Sequence, residues 1–167
     1  RYVSLNPGAS YRGLHDSLVN HLGNSEPGML LCLHEDHAVA IAHGYAKATG
    51  EPMGCVLHSN VGLMHGMMSM FNAWCDRVPV YIILGNYGDA ATRRGAEWYH
   101  GAQDVAAMVR DYTKWDDTPW SLGHFAESAV RAYRIGMTPP MAPVVIVACL
   151  QGAPGAAERC FTGLITI

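Results

Sequence analysis

Histidine and carboxylate side chains suit proton transfer and metal binding near neutral pH. In this sequence they are densest at His34-Glu35-Asp36-His37. Three chemistries fit that cluster. Asp and Glu in the first turn of a helix complement its dipole, a purely structural role. A zinc helix carries two His four residues apart with Glu between them, whereas these two His are three apart and still share a face. A lone Glu35 facing an apolar cleft would exchange its proton with a bound ligand. His58 closes the apolar run Cys55–Leu57 and precedes Ser59-Asn60, a pair suited to capping the next helix. It reads either as a satisfied structural residue or as a general acid/base. A metal-dependent hydrolase built on His34, His37 and His58 is the metal alternative; the preferred reading has no metal ligand in this chain.

The elements that position these residues alternate. Tyr2–Leu5 is a short extended run stopped by Asn6-Pro7-Gly8. Tyr11, Leu14, Leu18 and Leu22 have helical spacing, with Gly23 as the residue past the helix end. Met29–Leu33 is a continuous apolar run, expected as a strand buried on both faces. A helix from Asp36 to Thr49, a strand at Cys55–Leu57, a helix from Gly62 to Cys75 and a strand at Val78–Leu84 follow. Residues 102–111 and 121–135 read as helical, and Val144–Leu150 as the last strand. Met64, Met67, Met68 and Met70 read as core filler or an interface face. The pattern predicts an α/β fold: a three-layer parallel sheet with helices on both faces. Such sheets bind ligands beyond the carboxyl ends of their strands. That is where Asn6–Ser10, His34–His37, His58–Asn60 and Gly85–Tyr87 fall.

Composition narrows the function classes. The 167 residues are 50% hydrophobic, enough for one domain with its own core. No apolar run reaches the ~20 residues of a membrane helix, and a formal charge of −3 leaves no basic footprint for nucleic acid. Five cysteines, an odd number with no CxxC, point to a reducing, cytoplasmic setting. No signal peptide is expected, and the first residue, Arg1, suggests that a segment precedes it. Three motifs are missing from the sequence: a GxGxxG dinucleotide fingerprint, a P-loop and a Gly-x-Ser-x-Gly elbow.

The stretch from Glu35 through Ala42-His43-Gly44-Tyr45-Ala46 to Thr49-Gly50 resembles the signature helix of thiamine diphosphate-dependent enzymes. Phe71-Asn72-Ala73-Trp74-Cys75-Asp76-Arg77-Val78-Pro79-Val80 is similar to the family's Asn-Ala-x-x-Asp-x-x-Pro segment. Asn6-Pro7-Gly8 resembles its first strand-end turn, and Thr113-Lys114-Trp115 its later Thr-Lys element. The resemblance covers residues 1–148 and corresponds to the pyrimidine-binding domain, which implies a flavodoxin-like sheet of about six strands. The domain is expected over residues 1–150, with 151–167 as a tail of unknown role. Leu57-His58-Ser59 most resembles benzoylformate decarboxylases, while Gly62 keeps the last Gly of the acetolactate synthase pattern. His65 stands where both groups commonly have Asn, and Ala9 where the decarboxylases have Ser.

The resemblance implies a mechanism. Glu35 would hydrogen-bond the aminopyrimidine ring and promote its imino tautomer, allowing a thiazolium ylide to form and attack a 2-keto acid. Loss of CO2 would leave an enamine. Pro7, Gly62 and His65 are the further cofactor contacts it implies. His58 would relay protons, and Ala9, His58 and His100 would line the substrate pocket. The family's diphosphate is held through Mg2+ by a Gly-Asp-Gly…Asn motif. Here the nearest string is Gly88-Asp89-Ala90, and no Asn follows Asn86. A homo-oligomer (dimer or tetramer) or a complementary diphosphate-binding domain is the expected partner, with no turnover by this chain alone. A non-catalytic module for dimerisation or regulation is the alternative.

Overall fold

A computed structural model describes residues 1–86 and 100–148. Six parallel strands form one sheet in the order β2-β1-β3-β4-β6-β5. They are β1 (Tyr2–Leu5), β2 (Gly28–Leu31), β3 (Gly54–His58), β4 (Tyr81–Gly85), β5 (Trp115–Asp117) and β6 (Val144–Ala148). Parallel strands need crossovers, and helical segments supply them: α1 (Arg12–Asp16), α2 (Glu35–Thr49), α3 (Ser59–Cys75) and α4 (Leu122–Met137).

The side-chain alternation of the central strands builds two cores, one on each face. Cys55 and Leu57 of β3 join Ile82, Leu84, Val145 and Val147 beneath α2 and α3. Val56, between them in sequence, points to the other face with Val3, Leu5, Val144 and Ile146, under Leu14, Leu18 and Phe125. This confirms the three-layer arrangement. Ala38, Val39, Ala42 and Ala46 form the buried stripe of α2. Small residues let α3 approach closely, since a Cβ on Gly66 would lie 3.1 Å from Val39 Cγ2. Gly50 ends α2 in the left-handed conformation (φ 77°), its N–H donating to Ala46 O at 2.9 Å.

Several expectations need correction. The run Met29–Leu33 is not buried on both faces: β2 pairs with β1 alone, and Leu31 and Leu33 are 64% and 95% exposed. An apolar run states what a strand is made of but not whether it lies at the centre of the sheet. The segment expected as a helix over 102–111 is a 3-10 helix at Val105–Tyr112, followed by β5, a strand not foreseen at Trp115–Asp117. The first helix is composite: a 3-10 turn at Ala9–Tyr11, then α1, then a π turn at Ser17–His21. The methionines divide, with Met70 fully buried and Met64 and Met68 exposed. Cys149 and Leu150 of the expected last strand, Tyr87, the Gly88-Asp89-Ala90 string and the 151–167 tail lie outside the described residues.

Candidate functional site

The chain reverses direction across the sheet at β1, where β2 is added on one side and β3 on the other. Connections leaving strands on either side of such a point open a crevice at the carboxyl edge. The residues after β1, β2 and β3 meet there.

Glu35 opens α2 and is buried, at 5% exposure, despite its charge type. His34, rather than either acid, caps the helix, its Nδ1 accepting from Asp36 N–H at 3.2 Å. Asp36 instead accepts the Ser69 N–H at 3.2 Å and ties α2 to α3. Glu35 Oε2 lies 3.3 Å from His65 Nδ1 on α3. A Cβ on Gly62 would stand 3.2 Å from Glu35 Oε1 and 3.3 Å from its Cγ, so glycine leaves the carboxyl its place. Burial, and secondarily the Glu35 charge, raise the Tyr11 phenol above its usual range; its hydroxyl donates to Asn6 O. Burial pushes the neighbouring Cys55 thiol up to about 12, leaving it inert.

His58 ends β3 and is half-buried. Its Nδ1 lies 2.9 Å from Ser10 Oγ, and its Nε2 lies 3.0 Å from His100 Nδ1. Burial holds the imidazole below its usual pKa, the nearby His100 lowers it further, and Glu35 opposes the shift. A neutral imidazole between a hydroxyl and a second imidazole can pass a proton either way by exchanging tautomers. Gly8 makes this contact possible, because a Cβ there would lie 2.5 Å from His58 Cβ. Gly85 does the same for the Ser10 backbone, whose carbonyl oxygen would be 2.2 Å from its Cβ.

Ser59 occupies the left-handed region (φ 48°), a strained position for a residue with a Cβ. Its buried hydroxyl donates to His100 O at 3.1 Å, with Asn86 Oδ1 at 3.3 Å, and does not cap α3 as the sequence suggested. Asn86 Nδ2 in turn donates to Ala102 O at 3.0 Å. This network fixes the backbone that carries His100 beside His58.

The structure thus brings Glu35, Gly62 and His65 into one group, and His58 and His100 into another. Pro7 and Ala9 are exposed at the rim. The hydroxyl against His58 belongs to Ser10, one residue beyond Ala9. Sequence reasoning did not single out Ser10 or Asn86; the signal for each was its place in a strand-end segment, Asn6–Ser10 or Gly85–Tyr87. His37 is exposed and separate from His58, but its ring lies 5.9 Å from that of His34.

The family described as thiamine pyrophosphate enzyme, N-terminal TPP binding domain, matches residues 1–108. The chain belongs to this family. It is 29% identical over 117 residues to benzoylformate decarboxylase from Pseudomonas aeruginosa, covering 70% of this chain and 22% of that one. It is 26% identical over 140 residues to the mitochondrial acetolactate synthase catalytic subunit of Saccharomyces cerevisiae, covering 84% and 20%. The chain therefore spans about a fifth of the length of these relatives. The fold also matches benzoylformate decarboxylase from Polynucleobacter necessarius (TM-score 0.76, 22% identity), covering 92% of this chain and 28% of that one.

Proposed function

We propose that the chain supplies the pyrimidine-binding part of a thiamine diphosphate-dependent decarboxylase or carboligase acting on a small 2-keto acid. The observation that carries this reading is the Glu35 carboxyl, buried at the start of α2 in a place that Gly62 keeps clear. A buried carboxyl with room beside it fits the ring nitrogen of an aminopyrimidine, and Gly62, Pro7 and His65 are the contacts proposed around it. Thiamine diphosphate, when bound, supplies the electron sink for breaking or making the bond next to the keto carbon.

The chain's own residues then have separate tasks. Glu35 offers its buried carboxyl to the ring nitrogen as a hydrogen-bond partner. His58, neutral between Ser10 and His100, delivers or takes a proton at Nε2, and His100 Nδ1 refills it. Ala9 at the rim and His100 face the substrate side. Mg2+ and the diphosphate belong to a complementary diphosphate-binding domain, and the chain works within an oligomer, in a cytoplasmic setting. Met64, Met68 and Phe71 support such a partner: they are exposed at helical spacing on α3, which also carries Gly62 and His65. No helix among the described residues is long and apolar enough to cross a membrane.

The test is Glu35→Gln in the chain joined to a diphosphate-binding partner. Loss of one positioned proton-transfer group should reduce turnover of a 2-keto acid by about 10²-fold or more, while thiamine diphosphate is still bound. Unchanged turnover would defeat the assignment.

A further inference from the structure

The face of the sheet opposite α2 and α3 is covered incompletely. α1 and α4 leave a cleft between them whose floor is β3 and β4. Its outer part has a volume of about 600 Å³ and its inner part about 320 Å³. Pro52, Gly54, Tyr81 and Ala129 line both, so the two parts are continuous. Gly54 opens this space at the start of β3: Val56 and Ile83 further along the floor carry side chains, and Gly54 carries none. Neither Glu35 nor His58 lines the cleft.

We propose that this cleft binds an aliphatic carboxylate of medium chain length, with its carboxylate on Arg134 and its chain laid over Val56 and Ile83. The outer volume lies within the range of about 300–1,000 Å³ typical of small-molecule pockets, which pair apolar walls with a few polar anchors. The charges select an anion. No acidic side chain lines either part, whereas Arg134 lines the outer part and Arg1 the inner. Among the described residues neither arginine is in an ion pair. Burial raises the pKa of the Tyr81 phenol above its usual range, so that wall stays neutral, and its hydroxyl donates to Ala129 O at 2.9 Å.

The topology sorts polar from apolar along the cleft. α4 runs back across the sheet between β5 and β6, so Arg134 near its end stands at the amino edge, where Arg1 precedes β1. Both positive charges are therefore at the mouth. The inner walls are Leu14, Leu18 and Phe125, all buried and apolar. Val130 and Tyr133, 41% and 50% exposed, flank the mouth on α4 and leave it open to entry. Nine residues separate Phe125 from Arg134, a rise of about 13 Å along the helix, which is the reach of a chain of about eight to ten carbons. An anionic head with an apolar tail of that length matches the cleft in charge, depth and polarity.

The full chain should be titrated with sodium decanoate by calorimetry, with hexanoate, octanoate and decylamine as comparisons. One decanoate per chain is expected, and affinity should rise about two- to fourfold per methylene from hexanoate to decanoate. Decylamine, of the same length and opposite charge, should not bind. Arg134→Gln should weaken decanoate about tenfold. Gly54→Leu should abolish binding by filling the floor; a Cβ there meets only Val3 side-chain atoms, at 3.5 Å and 3.9 Å, which are ordinary contacts. Arg134 is exposed, so Arg134→Gln keeps the test decisive if Gly54→Leu disturbs β3. Absence of saturable binding, equal binding of decylamine, or unchanged affinity in Arg134→Gln would overturn the proposal. So would a dimer in sedimentation that decanoate does not enter, since a second copy would then fill the cleft. The titration contains no thiamine diphosphate, so its failure leaves the cofactor reading standing, and an active Glu35→Gln says nothing about the cleft.

Discussion

Replacing Gly8 and Gly44 by alanine is the same chemical change with opposite consequences. At Gly8 the backbone is extended (φ −156°, ψ 144°), so alanine suffers no conformational strain there. The new Cβ, however, would lie 2.5 Å from His58 Cβ and Cγ and 2.8 Å from Nδ1. Carbon contacts settle at about 3.5–4.0 Å, an overlap of roughly 1 Å. Rotating the His58 ring cannot remove it, because His58 Cβ is fixed by its own backbone. The turn after β1 must therefore move off the end of β3. Overpacking of this kind costs about 1–3 kcal/mol, offset by about 0.4–1 kcal/mol from the restricted unfolded chain. The net loss is about 1–2 kcal/mol. At Gly44, inside α2, nothing lies within 4 Å of the added methyl group, and the change should stabilise by about 0.5–1 kcal/mol. For a domain of this size each kcal/mol moves Tm by about 2–4 °C. Gly8→Ala should therefore lower Tm by about 2–8 °C and Gly44→Ala raise it by about 1–4 °C. Urea unfolding followed by circular dichroism measures both, and an NMR pH titration should show His58 moving back toward its ordinary pKa in Gly8→Ala alone. A Gly8→Ala protein as stable as its parent would refute the close approach of the first turn to His58.

Burial and His100 hold the His58 pKa below its unfolded value of about 6.5. As pH falls through that value the unfolded chain takes up the proton first, so this part of the stability is present above it and lost below it. The stability of the parent relative to His58→Gln should therefore decline between about pH 7.5 and about pH 5; denaturant midpoints across that range would show it, and a constant difference would contradict the shift. Asp36→Ala removes the acceptor for Ser69 N–H that joins α2 to α3 and should cost about 1–2 kcal/mol with an unchanged m value. Asp36→Asn, which keeps an acceptor, should recover most of it.

Much of the architecture was legible because it rests on local rules. Cys55–Leu57 and Val144–Ala148 are apolar without interruption, which marked both as strands, and both lie inside the sheet. Gly50 ended α2 where the sequence placed the stop. β2 and β5 were misjudged because their surroundings, not their compositions, make them edges. Trp115-Asp116-Asp117 has no strand pattern of its own and is extended because β6 offers it a row of backbone partners.

The site divides along the same line. Sequence determined that a helix starts beside Glu35, that His58 ends a strand, and that both fall on the binding edge of a parallel sheet, because periodicity and motif spacing are properties of the chain itself. Tertiary structure decided which side chains face them. Ser10 is 48 residues from His58, His100 is 42 away, and His65 is 30 from Glu35. No local rule relates residues so far apart. Their contacts exist because strand order places the β1 turn beside the end of β3, and because Gly8, Gly62 and Gly85 leave out the carbon atoms that would keep the layers apart.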